Sequence, residues 1–203
     1  MRLALLFLLS LLAPLPARAA PDLAQALREG GLVVFLRHAE TGEPWPDHAR
    51  AVPGDCASQR DLNAAGRAQA EAIGEAWRDL GLPVGSVLAS PFCRTMETAV
   101  LAFGAATPEP RLGLPRHLDA AAHAAMGRAL VALVAEAAAR GEAGNTVLVG
   151  HSYHLMAAGG PRPDPQGAAA ILRPRAEGGF EALALVPPDG WPALAAPRQA
   201  GLR

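Results

Sequence analysis

The sequence predicts an α/β fold, a three-layer sandwich with a mainly parallel central sheet flanked by helices. Three observations carry that prediction. The apolar runs Leu32-Val33-Val34-Phe35, Val87-Leu88-Ala89 and Thr146-Val147-Leu148-Val149 have strand length and are rich in β-branched residues. Longer segments with helical spacing lie between them. Each run ends abruptly in polar residues, as expected of a buried strand that delivers side chains to its carboxyl edge, where open α/β sheets bind ligands.

Taken in order, Asp22 to Glu29 reads as a short helix stopped by Gly30-Gly31, and the first strand follows. Residues 42–54, with Pro44, Trp45, Pro46, His48 and Pro53, form a loop and a candidate pocket wall. Asn63 or Asp61 can cap a helix running to about Leu80, with Ala68, Ala72, Ile73, Ala76 and Trp77 as its stripe. Gly81-Leu82-Pro83 ends it. After the second strand, Ser90 is the expected cap and Pro91 the first residue of the next helix. Residues 107–115 are a proline-rich connection. Ala120 to Arg140 is an alanine-rich helix closed by Gly141. The third strand precedes a loop over residues 159–167. Ala168 to Leu172 and Phe180 to Val186 read as a terminal hairpin around Gly178-Gly179, and the proline-rich tail after Pro187 as loose.

The chain has 203 residues, enough for one domain with a substantial core. Its formal net charge of −1 supplies no global field for nucleic acid. All 18 basic residues are arginine, which excludes a lysine Schiff base and a Walker A lysine. Residues 1–19 have the pattern of a secretory signal peptide: Arg2, the apolar run from Leu3 to Leu12, then Ala17-Arg18-Ala19 before the cut. That run is about half the roughly 20 residues a membrane span needs. The expectation is a periplasmic or secreted protein with no stable membrane insertion, residues 20–203 forming one domain. Cys56 and Cys93 are the only cysteines, and an even pair in an exported protein suggests a disulfide; two buried free thiols are the alternative.

The three strand ends supply the candidate site. Arg37-His38 follows the first strand: an arginine suited to an oxyanion beside a histidine able to act as nucleophile or base. Arg94 falls in the first turn of its helix, a natural anion site. Gly150-His151 follows the third strand. Two arginines and two histidines from separate segments can converge on one tetrahedral anion.

These residues resemble the histidine phosphatase superfamily, which includes phosphoglycerate mutases and acid phosphatases. The resemblance rests on Arg37-His38-Ala39-Glu40-Thr41, on Gln59-Arg60-Asp61-Leu62-Asn63-Ala64-Ala65-Gly66-Arg67-Ala68-Gln69-Ala70, on Ser90-Pro91-Phe92-Cys93-Arg94-Thr95 with Thr98-Ala99, and on Gly150-His151-Ser152. It implies phosphomonoester hydrolysis through a phosphohistidine at His38, with Arg37 and Arg94 holding the phosphoryl oxygens and His151 donating to them or shuttling a proton. Asp119 is the expected general acid, with Glu40 or another group as the alternative. No metal or cofactor is required. His151-x-x-His154 has metal-ligand spacing but no evident third ligand. His154 and Tyr153 are candidate pocket residues, and His48, His117 and His123 loop or surface ones. The expected partner is a small phosphorylated substrate, an envelope sugar phosphate being a plausible example. Two alternatives stand beside the phosphatase: a mutase-type phosphotransferase using the same residues, and an inert phosphate-binding module.

Overall fold

The computed structural model describes residues 22–43, 50–52 and 54–195. The expected signal segment and His48 lie outside the described residues. Eleven regular elements alternate along the described chain: α1 (Leu23–Glu29), β1 (Val33–Arg37), α2 (Ala64–Asp79), β2 (Val84–Ala89), α3 (Cys93–Phe103), β3 (Thr107–Pro108), α4 (Ala120–Arg140), β4 (Asn145–Gly150), α5 (Ser152–Ala157), β5 (Ala169–Pro174) and β6 (Phe180–Val186).

Six strands form one sheet in the order β3-β2-β4-β1-β5-β6. The first four are mutually parallel; β5 and β6 add an antiparallel hairpin. β1 is central because its four apolar residues bury both faces, one alternate set on each side. Val34 and Leu36 meet Ile73, Trp77, Val147, Val149 and Ile171 under α1, α2 and α3. Val33 and Phe35 meet Leu130, Leu133, Leu148 and Leu172 under α4 and α5. This gives the three layers expected. α4 is apolar and long enough to span a membrane by composition alone, but its Leu130, Leu133 and Val134 stripe is buried against the sheet.

Caps set the helix starts. Asn63 Oδ1 accepts from Gly66 N at 2.7 Å, and Asp119 Oδ1 from Ala122 N at 2.8 Å. Gly66 also permits close packing: a Cβ there would overlap the Glu40 carbonyl. The start of α2 thereby rests on the segment after β1, where Gln69 Oε1 accepts from Glu40 N at 3.1 Å.

Three expectations need correction. Ser90 does not cap α3; Phe92 occupies that position without a side-chain cap, and Pro91 lies outside the helix. The connection after α3 is not featureless, since Thr107–Pro108 pairs with β2 as an edge strand. The described tail after Pro187 is not loose. Trp191 is fully buried and packs on Trp77, ring centroids 5.1 Å apart, because burying a large indole is strongly favourable.

Candidate active site

Strand order brings the three predicted segments together. β2, β4 and β1 are neighbours, so Ser90, His151 and His38 leave adjacent carboxyl ends. The pairing Arg37↔Gly150 aligns the two histidine-bearing strands, and His38 N donates to Gly150 O at 3.0 Å. The imidazole rings stand edge-to-face with centroids 5.5 Å apart. A cavity of about 280 Å³ opens there, lined by Arg37, His38, Arg94 and His151 together with Gln59 and Arg60.

His38 is 3% exposed. Its Nδ1 lies 2.8 Å from Ala39 O. A carbonyl only accepts, so Nδ1 carries the proton and Nε2 the lone pair. Nε2 has no hydrogen-bond partner among the described residues and is not sealed from the cavity. Burial foremost, then the Arg94 charge, lowers the ring's pKa from 6.5 to about 3, the Ala39 hydrogen bond opposing. The ring is therefore neutral and nucleophilic at ordinary pH.

Arg94 is 3% exposed and forms no ion pair among the described residues. Its guanidinium stacks 4.7 Å over the Phe92 ring, and Nη2 donates to His151 Nδ1 at 3.3 Å. Its Nε is buried without a partner. Burial, with the nearby Arg60 charge, lowers its pKa to about 10, Asp61 opposing. A buried cation with an orphan donor is costly without an anion, which marks the cavity as an anion site. Since arginine only donates, His151 accepts at Nδ1 and carries its proton on Nε2, 3.1 Å from Ser90 Oγ. Burial, then Arg94 and His38, hold the His151 pKa well below 6.5.

The backbone fixes these groups. Thr98 Oγ1 accepts from Ala39 N at 3.0 Å and donates to Arg94 O at 2.6 Å, tying the His38 segment to α3. The Cys56–Cys93 disulfide is present, with Cα atoms 5.7 Å apart, and Gln59 Oε1 accepts from Cys93 N at 2.9 Å. Arg37 Nη1 donates to Asp164 Oδ1 at 2.6 Å and to Pro163 O at 3.2 Å.

Asp119, the expected acid, is not brought to the cavity. Its carboxylate caps α4 on the surface, as an acidic residue immediately before an alanine run favours. Glu40 also faces away, accepting from Asn63 Nδ2 at 2.7 Å. Tyr153 lines the cavity; His154 does not, and its Nε2 donates to Arg111 O at 3.1 Å. His117 and His123 lie outside the lining. Arg60, Arg162 and Ser90 were missed as site residues. Arg60 follows Gln59 directly, but that dipeptide reads as the approach to a helix, and nothing local marks Arg162.

Residues 33–114 match the family described as the histidine phosphatase superfamily (branch 1). No curated protein matches the chain. Among solved structures, similarity extends to a phosphoserine phosphatase from Entamoeba histolytica: TM-score 0.55, 12% identity, 76% of this chain and 95% of that one. A mycobacterial glucosyl-3-phosphoglycerate phosphatase gives 0.53 and 17%, covering 74% and 96%. The protein histidine phosphatase SixA, solved with tungstate, gives 0.52 and 17%, covering 78% and 97%. At such identities these structures establish the shared fold. The matched segment carries Arg37, His38 and Arg94, so the sequence similarity to that family spans three of the four residues predicted for the anion site.

Proposed function

We propose that the protein is an exported, metal-independent phosphatase that hydrolyses small phosphomonoesters through a phosphohistidine at His38. The observation that carries this reading is a neutral His38 whose Nε2 has no partner among the described residues, in the same cavity as a buried Arg94 that has no ion pair among them. The phosphatase neighbours support the same activity.

The Nε2 lone pair forms an N–P bond as the ester P–O bond breaks, and the leaving alkoxide takes a proton from solvent. Water then attacks phosphorus, the N–P bond breaks, and inorganic phosphate departs. Covalent catalysis divides one difficult displacement into two. Arg37 and Arg94 hold the nonbridging oxygens and offset their charge. A phosphoryl oxygen that engages Arg94 Nη2 releases His151 Nδ1 to accept a proton from the attacking water. The leading pattern of residues 1–19 supports export, and a Cys56–Cys93 bond suits an oxidising compartment. An envelope sugar phosphate is one substrate such an enzyme would meet.

The test is turnover of an aryl phosphate by wild type and His38→Ala, with and without EDTA. Wild type is expected to turn over in EDTA, and the variant to lose activity while folding normally. Quenching under base with labelled substrate should trap phosphate on His38. Wild-type activity in His38→Ala, or a requirement for added divalent metal, overturns the mechanism. N-terminal sequencing of natively produced protein checks the expected cut after Ala19.

A further inference from the structure

The cavity is richer in cations than one phosphoryl group requires. Four arginines are among the described residues that line it, Arg37, Arg60, Arg94 and Arg162; Glu43 acts electrostatically on Arg60. Their exposure grades them by depth. Arg94 is 3% exposed, the Arg37 side chain 13%, Arg60 half-buried and the Arg162 side chain 60%. The first two share the floor with His38 and His151. The other two come from outside the sheet, Arg60 from the approach to α2 and Arg162 from the loop before β5.

The outer pair is held in relation to the inner one. The Arg162 loop also supplies Pro163 O and Asp164 Oδ1 to Arg37, and Asp164 Oδ1 lies 3.8 Å from Arg162 Nε. One carboxylate thus faces two guanidiniums. Gln166 of the same loop lines the cavity and accepts from Thr41 N at 2.9 Å, fixing the loop to the segment after β1. Leu114, Tyr153 and Met156 add an apolar wall, and the two α5 residues are 42% and 39% exposed. A substrate that fits floor, wall and mouth has a phosphoryl group, a short carbon body and a second anionic end.

We propose that Arg60 and Arg162 form a second anion subsite at the cavity mouth, and that the preferred substrates are phosphomonoesters whose leaving group carries its own negative charge. This rests on the phosphoryl site proposed above.

Non-hydrolysable probes test the subsite without turnover. Calorimetry on the full chain would compare phosphonoacetate with ethylphosphonate, and 3-phosphonopropionate with propylphosphonate. Each pair differs by a carboxylate in place of a methyl group. The expected result is roughly tenfold tighter binding of the carboxylated member in at least one pair, about the effect of one charge-assisted contact. In Arg162→Ala and in Arg60→Ala that ratio should fall toward one, and Arg162→Lys should keep part of it. Equal affinities within both pairs for the wild type overturn the proposal, as does a ratio that survives both alanine variants. Aryl phosphate turnover with equal affinities sinks the subsite alone. A preserved ratio without turnover sinks the hydrolytic reading alone.

Discussion

Arg94 and Arg111 are the same side chain in opposite settings. Arg94 is buried, has no carboxylate partner among the described residues and has its pKa pushed down by desolvation. Arg111 is largely solvated and reaches two carboxylates, Glu109 Oε2 at 2.9 Å and Glu136 Oε1 at 2.7 Å, which push its pKa up. Arg111 is satisfied by the protein and joins the 3-10 turn Pro110–Leu112 to α4. Arg94 is satisfied only in part, its buried Nε having no hydrogen-bond partner among the described residues. The segments are also anchored differently: the Arg94 turn by a covalent bond at Cys93, the Arg111 turn by exposed ion pairs. A cation the fold leaves short of partners belongs to the ligand; a cation the fold surrounds with carboxylates belongs to the fold.

The anchoring difference should give the largest effect. Opening the Cys56–Cys93 bond frees a loop of 37 residues, and the chain-entropy account expects a loss of about 4 kcal/mol. Denaturant midpoints of oxidised protein and of Cys56→Ser/Cys93→Ser protein measure it. The loss should extend to activity, because the bond and the Gln59–Cys93 N contact hold the first turn of α3. A double variant with unchanged stability would show that the backbone alone fixes Arg94.

Arg94→Met separates the two kinds of arginine most directly. Removing a buried cation with an orphan Nε should leave stability unchanged or raise it, since apolar replacement of poorly compensated charge is often favourable. Activity should fall by roughly 10²-fold or more, about 3 kcal/mol of transition-state stabilisation. Thermal melts and kcat/KM on an aryl phosphate together decide it. Loss of stability with retained activity would make Arg94 a structural residue like Arg111.

The site also predicts an acid weakness. His38 stays neutral in the native protein down to about pH 3, whereas its unfolded counterpart protonates near 6.5. Unfolded chains then bind more protons, so stability is full above about pH 6.5 and falls as pH drops toward 3. His38 alone should cost roughly 2 kcal/mol between about pH 6.5 and 5. His151 and His154 are shifted the same way and add to the loss. Glu109, Glu136 and Glu142 are held below their usual 4.5 and act mainly at lower pH. Urea midpoints at about pH 7 and 5 should differ in wild type and differ less in His38→Asn. A flat profile would mean that His38 is solvated.

Much of this was legible in the sequence, for identifiable reasons. β1 and β4 read clearly because both are buried on two faces and end in Arg-His and Gly-His. Residues 120–140 read as one helix because alanine propensity and Gly141 agree on its limits. β2 was visible only from Val87, since Val84 and Gly85 are exposed and break the apolar signal. Ser90 looked like a cap because Ser-Pro normally opens a helix; instead its hydroxyl lies at His151, a choice set by long-range packing. Asp119 was misplaced for the complementary reason: the local cap signal was present but chain position suggested chemistry. Arg60 and Arg162 enter the cavity through loops, whose course depends on tertiary contacts that periodicity does not encode.

Arg111→Ala should give the smallest effect and is the control for the whole comparison. Its two ion pairs are partly solvated, so screening leaves them worth at most about 1 kcal/mol. The His154 hydrogen bond is made to the Arg111 backbone carbonyl and survives the substitution. Stability should drop slightly, the more so at low salt, because Glu109 and Glu136 lose the cation between them. Turnover of an aryl phosphate should remain at the wild-type level, since Arg111 does not line the cavity. Melts at low and high ionic strength, paired with kcat/KM, read both parts. A large kinetic loss without a stability change would mean that the 3-10 turn Pro110–Leu112 positions the cavity wall at Leu114, and the division between a ligand's arginine and the fold's arginine would fail.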